Sequence, residues 1–285
     1  MTILVLGATG NTGSEVVNQL KEKDVPFRVM VRSAAGAAPL GLNEGQIRLG
    51  NFDNVESMAE AMKGITHVYL AMTAHPDNQK WVANVLEAMS KSGAKHLVKL
   101  SGMGASTDAG SEIIRTHAIT DEMVKKSGLD YTLIQPNSFY QNLFGSLETI
   151  KNMGQFFLPL GDAKQSVVDI RDVAAVAVAA LTEEGHNGQT YLLSGPEALS
   201  SAEQAAIISK AADKEIQYIA VPKAAAEDAM KSSGMNEWLA IHLAEILDWF
   251  AQGSYAYVTD DVEKVLGRPA RTFDAFAQEF TPLIK

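Results

Sequence analysis

The first 135 residues alternate short apolar runs with amphipathic stretches. The runs at 3–6, 27–31, 47–49, 67–70, 96–100 and 131–134 read as strands. Several are apolar throughout rather than at every second position, as in strands covered on both faces. The stretches near 12–23, 54–62, 78–91 and 112–126 read as helices. Two of these stop legibly, since Lys91-Ser92-Gly93 and Lys126-Ser127-Gly128 each place a cation and then a glycine at the helix end. Strand-then-helix repetition predicts an α/β fold, a doubly wound parallel sheet with right-handed crossovers.

Beyond residue 136 the alternation loosens. Helices are predicted near 144–152, 172–181, 202–212, 223–231, 237–252 and 272–280, with strands near 155–158, 190–193 and 216–220. No Pro/Gly/Ser linker and no fixed-period repeat separates the halves. The expected organisation is a first domain over 1–135 and a smaller C-terminal α/β cap over 136–285, interleaved with the first and packed on it.

The sharpest local signal is Gly7-Ala8-Thr9-Gly10-Asn11-Thr12-Gly13, directly after the first strand and opening the first helix. In that context a first glycine makes the tight turn, a second admits a pyrophosphate and a third lets helix and strand pack. The helix N-terminus then offers free N–H groups and partial positive charge. Gly7, Thr9, Gly10, Asn11, Thr12 and Gly13 are therefore the expected dinucleotide-binding loop. The second strand ends in Val31-Arg32, and no acidic residue lies between Val25 and Leu42. A site for an unmodified adenosine ribose usually places an acid there. A guanidinium suits a 2′-phosphate instead, so Arg32 points to NADP(H). After the third strand, Phe52 is a candidate to pack on adenine and Asn51 to bond its edge, while Asn51 and Asp53 equally suit a turn that caps the next helix.

Charge and composition narrow the classes. Lys and Arg number 24 against 34 Asp and Glu, giving −10, without a basic run. That argues against nucleic acid or an anionic membrane as partner. The longest apolar run, residues 173–181, is too short to span a bilayer. No cysteine is present and no signal peptide is expected, consistent with a cytoplasmic protein. The six histidines share no metal-ligand spacing and no G-x-S-x-G elbow occurs, so neither a metal site nor a serine triad is expected.

The glycine loop, Val31-Arg32, Gly50-Asn51-Phe52-Asp53, Ser101-Gly102, the stretch 135–142 (QPNSFYQN), the stretch 169–174 (DIRDVA) and the stretch 195–200 (GPEALS) together resemble the NmrA-like branch of the atypical short-chain dehydrogenase/reductases. The resemblance spans nearly the whole chain. It implies a Rossmann domain binding NADP(H). Its nearest members in pattern, quinone reductases and triphenylmethane-dye reductases, imply hydride transfer to a planar electron-poor acceptor, a quinone foremost. The same family holds non-catalytic NADP(H) sensors that regulate a protein partner, which is the alternative. Whether the chain is a homo-oligomer stays open.

One departure bears on mechanism. Ordinary short-chain dehydrogenases carry Tyr-x-x-x-Lys on the helix after the fifth strand, the lysine tuning the tyrosine as acid and base. This chain has His117 and Asp121 at that spacing. Strand-end loops should surround a nicotinamide. There Met72, Thr73, Ser101 and Asn137 are expected cofactor contacts, the two hydroxyls for a ribose and Asn137 for a carboxamide. His75 and His117 are candidate proton donors, since histidine titrates near neutrality. Tyr140 is a catalytic candidate beside them, and Tyr140 or Phe139 is a candidate wall for a flat acceptor, with Met103, Phe144, Met153, Phe156, Phe157 and Trp238 as apolar lining. Asp169 is read as a helix cap and Asp172 as a first-turn charge.

Overall fold

A computed structural model of the chain describes residues 1–253 and 255–285. In chain order the elements are β1 (Ile3–Leu6), α1 (Asn11–Glu22), β2 (Phe27–Val31), β3 (Ile47–Leu49), α2 (Val55–Ala61), β4 (His67–Leu70), α3 (Asn78–Ser92), β5 (His96–Leu100), α4 (Glu112–Lys125) and β6 (Asp130–Pro136). Then follow α5 (Leu147–Met153), β7 (Gln155–Leu158), β8 (Lys164–Gln165), α6 (Ile170–Thr182), β9 (Gln189–Leu193), β10 (Leu199–Ser200), α7 (Ser201–Ala212), β11 (Gln217–Ala220), α8 (Lys223–Ser232), α9 (Glu237–Ala251), α10 (Asp261–Leu266) and α11 (Phe273–Ile284).

The chain divides into two compact units. The first comprises 1–107, 116–135 and 173–191, the second 108–115, 136–172 and 192–285. The break at 135/136 lies where the alternation loosens. Residues 173–191 belong with the first unit because α6 is apolar nearly all round, its buried Val173, Val176 and Leu181 requiring a core on several sides.

In the first unit a seven-stranded sheet runs in the order β3-β2-β1-β4-β5-β6-β9. The ladders from β3 through β6 are parallel, with Leu6 level with both Met30 and Leu70. Strands this apolar must be covered on both faces. On one face Leu4, Leu6, Val68, Leu70, Leu97 and Leu133 meet Met58 and Met62 from the α2 region and Val82, Val85 and Met89 of α3. The strand order reverses between β1 and β4, which opens a crevice at their carboxyl ends.

The second unit holds two small sheets, parallel β7–β11 and antiparallel β8–β10, with helices. Its core gathers Ile150, Phe156, Ile208, Phe273, Phe276 and Phe280. The helix predicted over 144–152 is a tight turn of 3₁₀ geometry at Tyr140–Ser146 running into α5. β8, β10 and α10 were not foreseen, because two strand residues or six helical ones are too few to show a period. Asp169 precedes α6 and accepts from the Arg171 N–H at 2.8 Å, the expected capping geometry. Asp172 is more than a first-turn charge. It is fully buried and takes the Arg268 guanidinium at 2.8 Å and the Arg271 N–H at 2.6 Å, tying α6 to the loop before α11.

Candidate functional site

The first unit presents the glycine loop at the head of its crevice. Gly7 has φ +83°, and a Cβ there would stand 2.0 Å from the Ala71 carbonyl oxygen after β4. A Cβ on Gly13 would stand 2.1 Å from the Gly7 oxygen. Both glycines are therefore required by the fold itself. Gly10 differs, since its Cβ would meet nothing nearer than 3.5 Å, and it is exposed. The turn closes with Gly10 N–H donating to Gly7 O at 3.1 Å. The first helical rung is Ser14 N–H to Gly10 O at 2.8 Å, so the N–H groups of Asn11, Thr12 and Gly13 precede it. No side chain caps α1 and its first turn holds no acid. An open middle glycine before an uncapped, acid-free helix start fits a pyrophosphate. Thr9 and Asn11 stand exposed on the rim, while Thr12 is buried behind it.

Arg32 lies exposed at the carboxyl end of β2. The next residue, Ser33, accepts from the Gly36 N–H and starts the turn 34–40. The loop after β3 fits tightly, a Cβ on Gly50 meeting Met30 Sδ at 2.8 Å. Asn51 Oδ1 accepts from the Asp53 N–H at 2.8 Å, the turn geometry anticipated for it. Asp53 does not cap α2; Asn54 does, accepting from Ser57 N–H at 2.8 Å. Instead Asp53 accepts from Lys80 at 2.7 Å and from the Trp81 indole N–H at 3.1 Å, and these two bonds hold its carboxyl below the usual range. Phe52 stacks on Trp81, with centroids 5.6 Å apart. Trp81, Lys80 and Asn84, whose amide donates to Phe52 O, were not singled out from sequence. The first turn of α3 returning to the β3 loop has no local signature.

His75, expected as a proton donor, stacks on Trp81 with centroids 4.3 Å apart, with Nδ1 accepting the Asp77 N–H. Its place is beside Phe52 and Trp81, at the loops following β3 and β4. Met72 packs against the sheet core and Thr73 is exposed. The Thr73 carbonyl accepts from buried Asn78, whose Oδ1 has no partner in the protein.

The carboxyl ends of β5 and β6 hold the densest polar arrangement in this unit. Lys99 and Asp121 are 1% and 2% exposed and pair at 2.8 Å. Asp121 also accepts from Ser101 Oγ at 2.7 Å and from Gln135 Nε2 at 2.9 Å. Burial pulls the Lys99 ammonium below the usual lysine value, with Asp121 opposing it. His117 is held down to about 4, first by burial and then by the Lys99 ammonium. Both effects favour its neutral form. Lys99 escaped notice because the run 96–100 reads as an apolar strand that happens to contain a lysine. Asp121 was noted only for its spacing from His117.

Two further expected residues lie in the second unit, and their bonds are made within it. Asn137 is buried, its amide donating to Ser166 Oγ and Tyr255 O at 2.9 Å each, its carbonyl accepting from Ser138 N–H at 2.7 Å. Every side-chain group that would read a carboxamide is engaged. Tyr140 is 1% exposed, donates to Arg271 O at 3.1 Å and sits edge-on to Phe273. Burial first, and nearby carboxylates after it, push its phenol far above its ordinary value. It is a core residue, not an acid or a wall. Met103 and Phe156 are buried likewise, while Phe144 and Met153 are exposed.

A family model described as NAD(P)H-binding matches residues 7–184. An NAD(P)H azoreductase of Xenophilus azovorans is 40% identical over 97% of this chain and 96% of its own. The crystal structure of an NADPH-dependent quinone oxidoreductase from Escherichia coli, complexed with NADPH, superposes with a TM-score of 0.86 at 26% identity, covering 97% of this chain and 99% of that one. The triphenylmethane reductase of Citrobacter sp. complexed with NADP(H) gives 0.82 at 25% identity, covering 98% and 99%.

Proposed function

The chain belongs to the NAD(P)H-binding family, and we propose that it is an NADPH-dependent reductase that delivers hydride to a planar, electron-poor acceptor, a quinone or an azo dye. The observation that carries this reading is the carboxyl end of β5, where His117 and Asp121 stand at the spacing of an alcohol dehydrogenase's tyrosine and lysine, and Asp121 is taken up by a buried ion pair with Lys99. Asp121 already accepts three hydrogen bonds, Ser101 spends its proton on Asp121, and burial favours the neutral form of His117. A ketone needs a proton placed on its oxygen as hydride arrives. A quinone or azo group accepts hydride first and takes its proton from water, which balances the step as one hydride and one proton added.

The chemistry supplied by bound NADPH is a hydride at the nicotinamide C4. The protein's part is position. The open face over Gly10 and the free N–H groups of residues 11–13 would hold the pyrophosphate. Arg32 would face the 2′-phosphate at the end of β2. Phe52, on its Trp81 and His75 stack, would border the adenine. Thr73 and Ser101, at the ends of β4 and β5, would meet the nicotinamide ribose.

Anaerobic NADPH oxidation by the purified protein, compared across quinones, azo dyes and simple ketones, tests the acceptor class. Quinone and azo compounds should be reduced and ketones left untouched. Ketone reduction at a similar rate would refute the hydride-first reading. Tight NADPH binding with no oxidation in any arm would transfer the assignment to a regulatory NADP(H) sensor.

A further inference from the structure

An ionised carboxylate can only accept hydrogen bonds, so the three groups around Asp121 must all donate to it. That fixes two orientations without any appeal to hydrogen positions. Ser101 must point its hydroxyl proton at Asp121 Oδ2, which leaves its own oxygen able to accept. Gln135 must point its NH₂ at the same oxygen, which leaves its carbonyl oxygen able to accept. Ser101 follows the last residue of β5 and Gln135 is the penultimate residue of the neighbouring β6, and Ser101 N–H is itself held by Ile134 O at 2.7 Å. Two adjacent strand ends therefore present two acceptors, both set by one buried acid. Lys99 pairs with that acid at 2.8 Å.

We propose that Asp121, charged by Lys99, is a positioning residue that turns Ser101 Oγ and Gln135 Oε1 into paired acceptors for the nicotinamide half of the cofactor, whose ribose hydroxyls and carboxamide NH₂ are donors. The proposal rests on the reading of the chain as an NADPH enzyme. It gives the buried pair a task beyond stability: the site recognises donors and rejects a group that offers only acceptors. It also explains why a strand of the core carries a lysine, since the carboxyl at 2% exposure needs a charge partner there.

The test compares two ligands. NADPH reads both halves of the site, whereas adenosine 2′,5′-bisphosphate reads only the adenosine and 2′-phosphate half. Asp121→Asn frees the serine proton and lets the glutamine amide turn, so NADPH affinity, followed by nicotinamide fluorescence, should fall about tenfold, the loss of one well-placed hydrogen bond. Affinity for the bisphosphate should be unchanged. Ser101→Ala, which retains the ion pair, provides the same reading should the first variant fold poorly. It should weaken NADPH severalfold and spare the bisphosphate, and Ser101→Thr should restore NADPH. Equal weakening of both ligands, or no change in either, overturns the positioning role. Failure of the unaltered protein to bind either ligand would instead overturn the NADPH reading beneath it.

Discussion

Replacing Gly10 with alanine should leave the protein folded and cripple its hold on NADPH, whereas the same change at Gly13 should damage both. The two glycines stand three residues apart in one loop, and the difference lies in what a methyl group would meet. At Gly13 the nearest atom is the Gly7 backbone oxygen, 2.1 Å away, and a peptide oxygen cannot swing aside like a side-chain tip. The loop or the helix must shift, at a cost of about 1–3 kcal/mol or more. At Gly10 the backbone is already in an ordinary extended conformation, φ −82° and ψ 168°, and the nearest atom is at van der Waals distance. Alanine there should change stability by no more than about 1 kcal/mol, because the entropy gained through the unfolded chain is offset by alanine's poorer fit at a helix N-cap. Only a ligand approaching the backbone would feel the methyl. Thermal melts and NADPH titrations of the pair should therefore separate: Gly10→Ala melting close to the parent with affinity lowered by about tenfold or more, Gly13→Ala melting well below it with binding lost. Unimpaired binding by Gly10→Ala would mean that the pyrophosphate does not lie over it.

Lys99→Met should be strongly destabilising. Methionine matches the lysine stem, so little packing is lost. The damage comes from leaving the Asp121 carboxyl buried without its cation, with only Ser101 and Gln135 as donors. Breaking one side of a buried ion pair costs about 3–5 kcal/mol. Removing both charges is far less harmful than removing one, so Lys99→Met combined with Asp121→Leu should recover a large part of the loss. Denaturant midpoints of the two single variants and the double variant check this. A Lys99→Met midpoint equal to the parent's would show that the lysine contributes no compensation.

The strands and helices of the first unit were legible because its sheet is buried on both faces. Six apolar runs mark six strands, and the glycine loop falls between the first strand and helix as its spacing implies. The reversal of strand order between β1 and β4 was implicit in that pattern, and the loop sits there. Gly10, Arg32 and Ser101 were singled out for reasons of backbone freedom, charge and strand-end position, which are local and visible in one dimension. What escaped notice was non-local. Lys99 meets Asp121 across β5 and α4, and Trp81 meets Phe52 and Asp53 across α3 and the β3 loop, with no spacing to announce either. Tyr140 and Asn137 were misjudged in the opposite direction. Their strand-end position invited a functional reading, but Arg271, Tyr255 and Phe273, far along the chain, engage them within the second unit. Polar and aromatic residues reveal whether they are structural only when their partners are known.

The account stands most directly on quinone-dependent turnover with NADPH and with NADH, measured for the parent protein and for Arg32→Asp. It predicts that the parent strongly prefers NADPH. It also predicts that Arg32→Asp lowers kcat/KM for NADPH by about 10–100-fold, the loss of charge-assisted bonds to a phosphate plus new repulsion, while NADH changes little. Equal losses with both nucleotides, or a parent that uses NADH as readily as NADPH, would contradict it.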